Sequence, residues 1–304
     1  MTDNEFFGLG LRQVSSKDNP EYRHLFSVKE KAEIRREEGL CWLEGPRLVQ
    51  QFLHAMARAQ DSPTETFPWA CETLVFSQDW LQSQATQPVW RPLLALLTRF
   101  VDQALVLPDR LFARLAETHA PAGIGLLVKT QVLEAPDEAL NGLTTQGDGL
   151  VLDGVQDPGN LGSLLRTAAA AGLRWAAVTQ GSADPFSPKC LRAGMGAQFM
   201  VSLIGQQQPE TLARALRARG VDLFAADPVL GQSLYSDAIR ARLQRPSVLA
   251  WVMGQEGRGL SDYWEEAQGI NKVFIPQSNR MESLNVGAAA AVCLFERRRC
   301  LNEV

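Results

Sequence analysis

The sequence predicts an α/β protein: a small α/β domain over residues 1–130, a linker at 131–148, and a parallel sheet with helices on both faces over 149–304. Three observations carry this expectation. Short apolar runs alternate with segments of helical periodicity along the chain, the pattern of βαβ units. Clusters of Gly, Pro and polar residues separate them. The stretch KVFIPQSNRMESLNVGAAAAVCLFERR, 272–298, hands a buried strand to a polar loop and then to a helix that opens on Gly287 and Ala288–Ala291. A helix face this bare lets a second backbone, or a flat ligand, come very close.

A chain of 304 residues suits two domains. Hydrophobic content of 45% and charged content of 21% fit a soluble globular protein. No window approaches a membrane span, and MTDNEFFGLG lacks the basic start and apolar core of a leader. The five cysteines, at 41, 71, 190, 293 and 300, form no CxxC pair, which argues against zinc and against a disulfide framework. A cytoplasmic protein with reduced thiols is expected. The net charge of -4 is not that of an overtly basic nucleic-acid binder. Basic residues cluster locally: Arg12, Lys17, Arg23, Lys29, Lys31, Arg35 and Arg36; then Arg214, Arg217 and Arg219; then Arg297–Arg299. Each cluster alone reads as a solvated helix face. His24, His54 and His119 all fall in the first half, and no HExxH, nucleophile elbow or GxxxxGK is present. Chemistry in the second half would therefore run without histidine, metal or P-loop.

In the first half, RQVSSKDNPEYRH is polar, with a helix cap expected at Ser15–Ser16. Residues 25–38 have helical spacing, closed by Gly39. Leu40–Leu43 reads as a strand, and 47–58 as a helix with Leu48, Phe52, Leu53 and Met56 on one face. Pro63 and Pro68 break it. Extended segments follow at 73–76, 101–107 and 125–128, with helices at 90–100 and 109–117. Residues 133–148 are turn-rich and polar, a linker or a loop with one short helix.

The second half opens with a strand at 150–153. Asn160 is placed to cap a helix over 161–171, with Gly172 at its end. Strands are expected at 174–179, 199–203, 222–226, 248–253 and 273–275. Helices are expected at 189–196, 209–219 and from Ser261, before the last one after Leu284.

Three motifs in this half carry chemistry. In DPGNLGSLLRTAAAAG, 157–172, Arg166 sits among small and apolar residues, where an arginine usually binds something. In VMGQEGRGL, 252–260, a glycine-rich turn follows a buried strand and lets backbone groups approach a ligand. It is neither a dinucleotide fingerprint nor a P-loop. In IPQSNRMESLNVGAAAA, 275–291, Glu282, Ser283 and Asn285 stand where a strand passes to a helix. Ligands of α/β proteins gather at such strand ends.

In this order and spacing, the three motifs resemble the signature motifs of the SpoU/TrmH family of RNA ribose 2′-O-methyltransferases. The resemblance covers the second half, including ADPFSPKCLRAGMGA at 183–197. It reaches more faintly into the first, where NPEYRHL, EKAEIRREEGLCWLEGPRLV and PAGIGLLV resemble the substrate-binding domain that many members carry. It implies a deep trefoil knot, which general topology rules would not suggest. It also implies S-adenosyl-L-methionine as cofactor, a homodimer with shared active sites, and RNA, ribosomal before transfer RNA, as substrate. Matching positions give Gly254, Ile275, Leu284 and Ala226 as cofactor contacts. They give Arg166, Asn160, Glu256, Ser283 and Asn285 as catalytic or substrate-positioning residues. No metal and no membrane are implied. The family usually has Met and Gly where Gln277 and Asn279 stand. A catalytically inactive RNA-binding member is the competing reading. A nucleotide-binding dehydrogenase is another, but it would need a GxGxxG that the chain lacks.

Overall fold

The structure is a computed structural model that describes residues 5–6, 8–61, 69–84, 87–118, 120–130, 140, 142, 147–278 and 283–302. Pro63, Pro68, Asn279, Glu282 and most of 131–146 lie outside the described residues. The chain divides into two compact units, Met1–Gln131 with Phe186–Gly196, and Val132–Pro185 with Ala197–Val304.

The first unit holds a six-stranded mixed sheet. Its strands are β1 (Glu5–Phe6), β2 (Leu9–Gln13), β3 (Leu40–Glu44), β4 (Ala70–Ser77), β5 (Gln103–Leu107) and β6 (Ile124–Lys129), in the order β1-β2-β5-β4-β6-β3. Helices α1 (Pro20–Glu30), α2 (Ala32–Glu38), α3 (Pro46–Asp61), α4 (Arg91–Leu97) and α5 (Asp109–Leu115) join them. Asn19, not Ser15–Ser16, caps α1: its Oδ1 accepts the Glu21 amide at 2.9 Å and the Tyr22 amide at 3.3 Å. Pro20 follows at the first helical position, where its fixed φ suits the helix and its missing N–H costs nothing. The single helix expected over 25–38 is two, separated by Lys31 in an extended conformation (φ -108°, ψ 115°). Arg35 explains the break. It is buried, and its Nη1 donates to the carbonyls of Val28 at 2.7 Å and Lys29 at 2.8 Å, satisfying the open end of α1. The amino-terminal basic cluster is thus not uniformly solvated. Lys29 pairs with Glu30 at 2.6 Å and Glu117 at 3.2 Å, and Arg12 pairs with Glu21. Lys17, Arg23, Lys31 and Arg36 are exposed and have no ion pair among the described residues.

The second unit holds seven parallel strands in the order β11-β13-β10-β12-β7-β8-β9. In chain order, β7 (Gly149–Leu152) leads through α6 (Pro158–Ala171) to β8 (Trp175–Thr179). α7 (Pro188–Gly194) belongs to the first unit. Then come β9 (Ser202–Gln207), α8 (Pro209–Ala218), β10 (Asp222–Ala226), β11 (Gln232–Ser233), α9 (Asp237–Leu243), β12 (Leu249–Met253), α10 (Asp262–Glu266), β13 (Asn271–Phe274) and α11 (Val286–Asn302). β7, β8 and β12 are buried along their whole length, which is why they read as unbroken apolar runs rather than alternating ones. Gly149 is a space requirement: a Cβ there would stand 2.1 Å from the Trp175 ring.

Three expectations are corrected here. Asn160 does not cap α6. Asp157 does, with Oδ1 accepting the Asn160 amide at 2.9 Å, and Pro158 takes the first helical position. The strand expected at 199–203 starts at Ser202, because Ala197–Phe199 forms a single tight helical turn. Arg297 is not on a solvated face. It is 4% exposed, pairs with Asp148 at 2.8 Å, and donates to the carbonyls of Leu243, Arg245 and Ser247 at 2.5, 2.8 and 2.7 Å. Asp148 Oδ1 also accepts the Leu249 amide at 2.8 Å. This cluster fastens α11 to the starts of β7 and β12 and to the end of α9.

Candidate active site

In a parallel sheet every strand ends on the same edge. Here the carboxyl ends of β10, β12 and β13 meet the start of α11 around a cleft of about 690 Å³ of empty volume, its solvent-open part included. Ala226, Asp227 and Pro228 form one wall, Met253–Glu256 with Gly259 a second, and Val273–Ile275 a third. Gln277, Ser283, Leu284, Val286 and Ala289 complete it.

The structure brings Ala226, Gly254, Ile275 and Leu284 together in this lining, with Glu256 and Ser283. Gly254 is required by the loop itself rather than by a ligand. Gln255 and Gly259 exchange backbone hydrogen bonds at 3.0 and 2.9 Å, and a Cβ on Gly254 would lie 2.1 Å from the Gly259 carbonyl oxygen. Gly259 takes φ +80°, open to glycine at little cost.

Asn285 reaches the cleft through Glu256. Its Nδ2 donates to Glu256 Oε1, and its Oδ1 accepts the amides of Gly287 at 3.0 Å and Ala288 at 3.3 Å. One side chain therefore caps α11 and holds the carboxylate. Arg166 and Asn160 stand outside the lining, on α6. Arg166 is exposed and has no hydrogen bond or ion pair among the described residues. Asn160 is half-buried, in the first turn, and its side chain likewise has none among the described residues. α6 packs against α11: a Cβ on Gly287 would lie 3.4 Å from Ser163 Oγ, and Arg166 is one turn beyond Ser163. The Gly/Ala opening of α11 thus serves helix–helix approach beside the cleft.

Two acids were not singled out by sequence. Asp153, 2% exposed at the end of β7, accepts the Ser261 amide at 2.7 Å and the Thr179 hydroxyl at 3.0 Å. It ties the loop that carries Gly254 and Glu256 to the middle of the sheet. Asp227 lines the cleft and pairs with Lys272 at 3.2 Å. Burial alone would raise its carboxyl, but the amides of Leu230 and Val229 and the Lys272 ammonium outweigh that and hold it below the usual carboxylate range. Ser261, Thr179 and Lys272 lie far along the chain from them, so only the position of each acid directly after a strand, and for Asp227 the turn-forming Asp-Pro pair, could have pointed to it. Among the described residues, no group of three or more His, Cys, Asp or Glu side chains could hold a metal, and no helix is long and apolar enough to cross a membrane.

Fold and cleft define an α/β protein that binds its ligand at the strand ends of a parallel sheet, with polar side chains at the mouth. Residues 149–295 match the model of the SpoU rRNA Methylase family. A Synechocystis protein named as an uncharacterized tRNA/rRNA methyltransferase is 32% identical over 95% of this chain and 94% of its own. The Bacillus subtilis 23S rRNA guanosine 2′-O-methyltransferase RlmP is 32% identical over 64% of this chain and 73% of its own. The AdoMet-bound rRNA methyltransferase of Sinorhizobium meliloti superposes with a TM-score of 0.74 at 25% identity, covering 96% of this chain and 98% of that one. The chain belongs to the SpoU rRNA methylase family.

Proposed function

We propose that the protein is an S-adenosyl-L-methionine-dependent RNA methyltransferase that modifies a ribose 2′-hydroxyl, with 23S ribosomal RNA as substrate. The observation that carries this reading is the cleft at the ends of β10, β12 and β13, with the Glu256–Asn285 bond at its mouth, in a chain of this family.

The lining fits the cofactor's chemistry. Met253, Ile275, Leu284 and Val286 offer apolar walls for an adenosine, and the backbone of Gly254, with no side chain in the way, lies beside them. When bound, S-adenosyl-L-methionine supplies a methyl group already activated on a sulfonium. The chain must bring an acceptor hydroxyl into line and help its proton leave; alignment of this kind is worth roughly 7 kcal/mol or more in ideal cases. Arg166, exposed and uncommitted, grips a backbone phosphate of the RNA and orients the neighbouring hydroxyl. A guanidinium stays protonated, so the proton passes to phosphate or water rather than to Arg166. Asn160 steadies that geometry from the first turn of α6. Glu256, held by Asn285, positions the ribose, and Ser283 the acceptor nucleotide.

The reading includes a homodimer through residues 149–304 and a carboxyl-terminal segment threaded as a trefoil knot. Phe295, 45% exposed on α11, is a large apolar group that a second copy would cover. A truncation beginning just ahead of Asp148, so that its pair with Arg297 is kept, is expected to remain dimeric by light scattering; a clean monomer would remove the dimer from the reading. The substrate is tested by mapping 2′-O-methyl positions in ribosomal and transfer RNA from a strain lacking the gene. One missing ribosomal site is expected. A missing transfer RNA site, with ribosomal RNA unchanged, would overturn the substrate assignment.

A further inference from the structure

Asp227 stands out by where its side-chain bonds go. It follows β10 directly and lines the cofactor cleft, yet its carboxylate points back into the chain. Oδ1 accepts the amides of Val229 and Leu230, both at 2.9 Å, and Oδ2 meets Lys272 Nζ at 3.2 Å. Lys272 in turn donates to the Glu265 carbonyl at 2.5 Å. The backbone is tied down as well, since the Asp227 amide donates to the Val273 carbonyl at 2.8 Å. At the far end of the turn, a Cβ on Gly231 would stand 2.6 Å from the Val273 carbonyl carbon and 2.7 Å from the Asp227 carbonyl oxygen. The turn 227–231 is therefore pressed against β13, and a side-chain carboxylate closes it from inside.

The turn carries Val229, 84% exposed, and Leu230, 67% exposed. Asp side chains form such turns by bonding their own backbone two residues on. Here the turn includes Pro228, which lines the cleft. An aspartate whose bonds are all spent on the wall does not need to touch the ligand to control its affinity.

We propose that Asp227 is a positioning residue: by closing the turn 227–231 through the Val229 and Leu230 amides, it sets the wall of the cleft and so the affinity for the adenosine cofactor. The inference rests on the cofactor reading above. The hydrogen bonds, rather than the negative charge, are the active feature. That separates Asp227→Asn, which keeps the accepting oxygen, from Asp227→Ala, which does not.

The test is titration calorimetry of the full chain with S-adenosylhomocysteine, alongside thermal melts of the same samples. Wild type binds; Asp227→Ala weakens binding at least about tenfold, or about 1.4 kcal/mol. Asp227→Asn restores most of the affinity. Asp227→Ser, whose hydroxyl can still accept one amide, falls between and covers the case in which the alanine variant does not fold. A purely structural role would lower the melting temperature and leave the affinity of the folded protein unchanged. Alanine or serine variants that bind as wild type would overturn the proposal while leaving the cofactor reading in place. An asparagine variant as weak as alanine would overturn the hydrogen-bond account. Wild type that fails to bind would overturn both the proposal and the cofactor reading.

Discussion

Asn285 and Glu256, from the start of α11 and the loop after β12, are joined by a hydrogen bond from the Asn285 amide to a Glu256 carboxylate oxygen. The other end of the same amide caps α11. The side chain cannot turn over without losing both contacts, since a carboxylate accepts and does not donate.

The two duties of Asn285 can be separated. Aspartate is as good a helix cap as asparagine, but it cannot donate to Glu256 and sets a like charge beside it. Asn285→Asp should keep its melting temperature and lose turnover. Asn285→Ala should lose turnover and also about 1 kcal/mol of stability. Melting curves and single-turnover methylation on the same samples check this. Wild-type turnover in Asn285→Asp would end the positioning role for the Glu256 bond.

Arg166 is expected to act on substrate rather than on the fold, because it is exposed and has no partner among the described residues. Arg166→Ala should reduce turnover more than a hundredfold, roughly 3 kcal/mol, with unchanged melting temperature and cofactor affinity. Arg166→Lys should recover little, since an ammonium does not reproduce the two-pronged grip of a guanidinium. An alanine variant that melts early yet turns over normally would place Arg166 in the scaffold.

Arg297 is the opposite case. Removing it leaves Asp148 without its ion pair and three carbonyls without a donor. Breaking such a buried pair costs about 3–5 kcal/mol. Urea unfolding of Arg297→Met should show a loss of that size; a loss below about 1 kcal/mol would mean that the cluster relaxes around the gap.

The contrast between the two arginines marks what the sequence made legible. Fully buried β7 and β12 announce themselves as apolar runs, and Gly172 and Gly39 end their helices as expected. Arg297 was hidden because a run of three arginines looks the same whether its first member faces water or four acceptors. Residues 227–247 received no element: β11 has two residues, too few for a pattern, although Ser236 before α9 was a readable cap. The candidate cleft was legible where it is local, in Ile275, Ser283 and Leu284. Asp153 and Asp227 were not, because the Ser261 amide and Lys272 meet them only after the sheet has formed.

RNA affinity should draw on the exposed cations of the first unit that have no ion pair among the described residues. Neutralising Lys17, Arg23, Lys31 and Arg36 together should weaken RNA binding and flatten its salt dependence, since each phosphate contact adds to the slope. Arg35 does not belong in that set; replacing it should destabilise the end of α1 instead. Binding measured across a salt series decides, and an unaltered slope would return these residues to an ordinary solvated surface.

The central claim is methyl transfer to a ribose hydroxyl, and transfer of a labelled methyl group tests it most directly. S-adenosyl-L-methionine labelled on the methyl is incubated with the protein and with ribosomal RNA from a strain lacking the gene, and the RNA is then digested to nucleosides. The account predicts label in a single 2′-O-methylated nucleoside, lost with Arg166→Ala. Label on a base, or no label above the protein-free control, would contradict it.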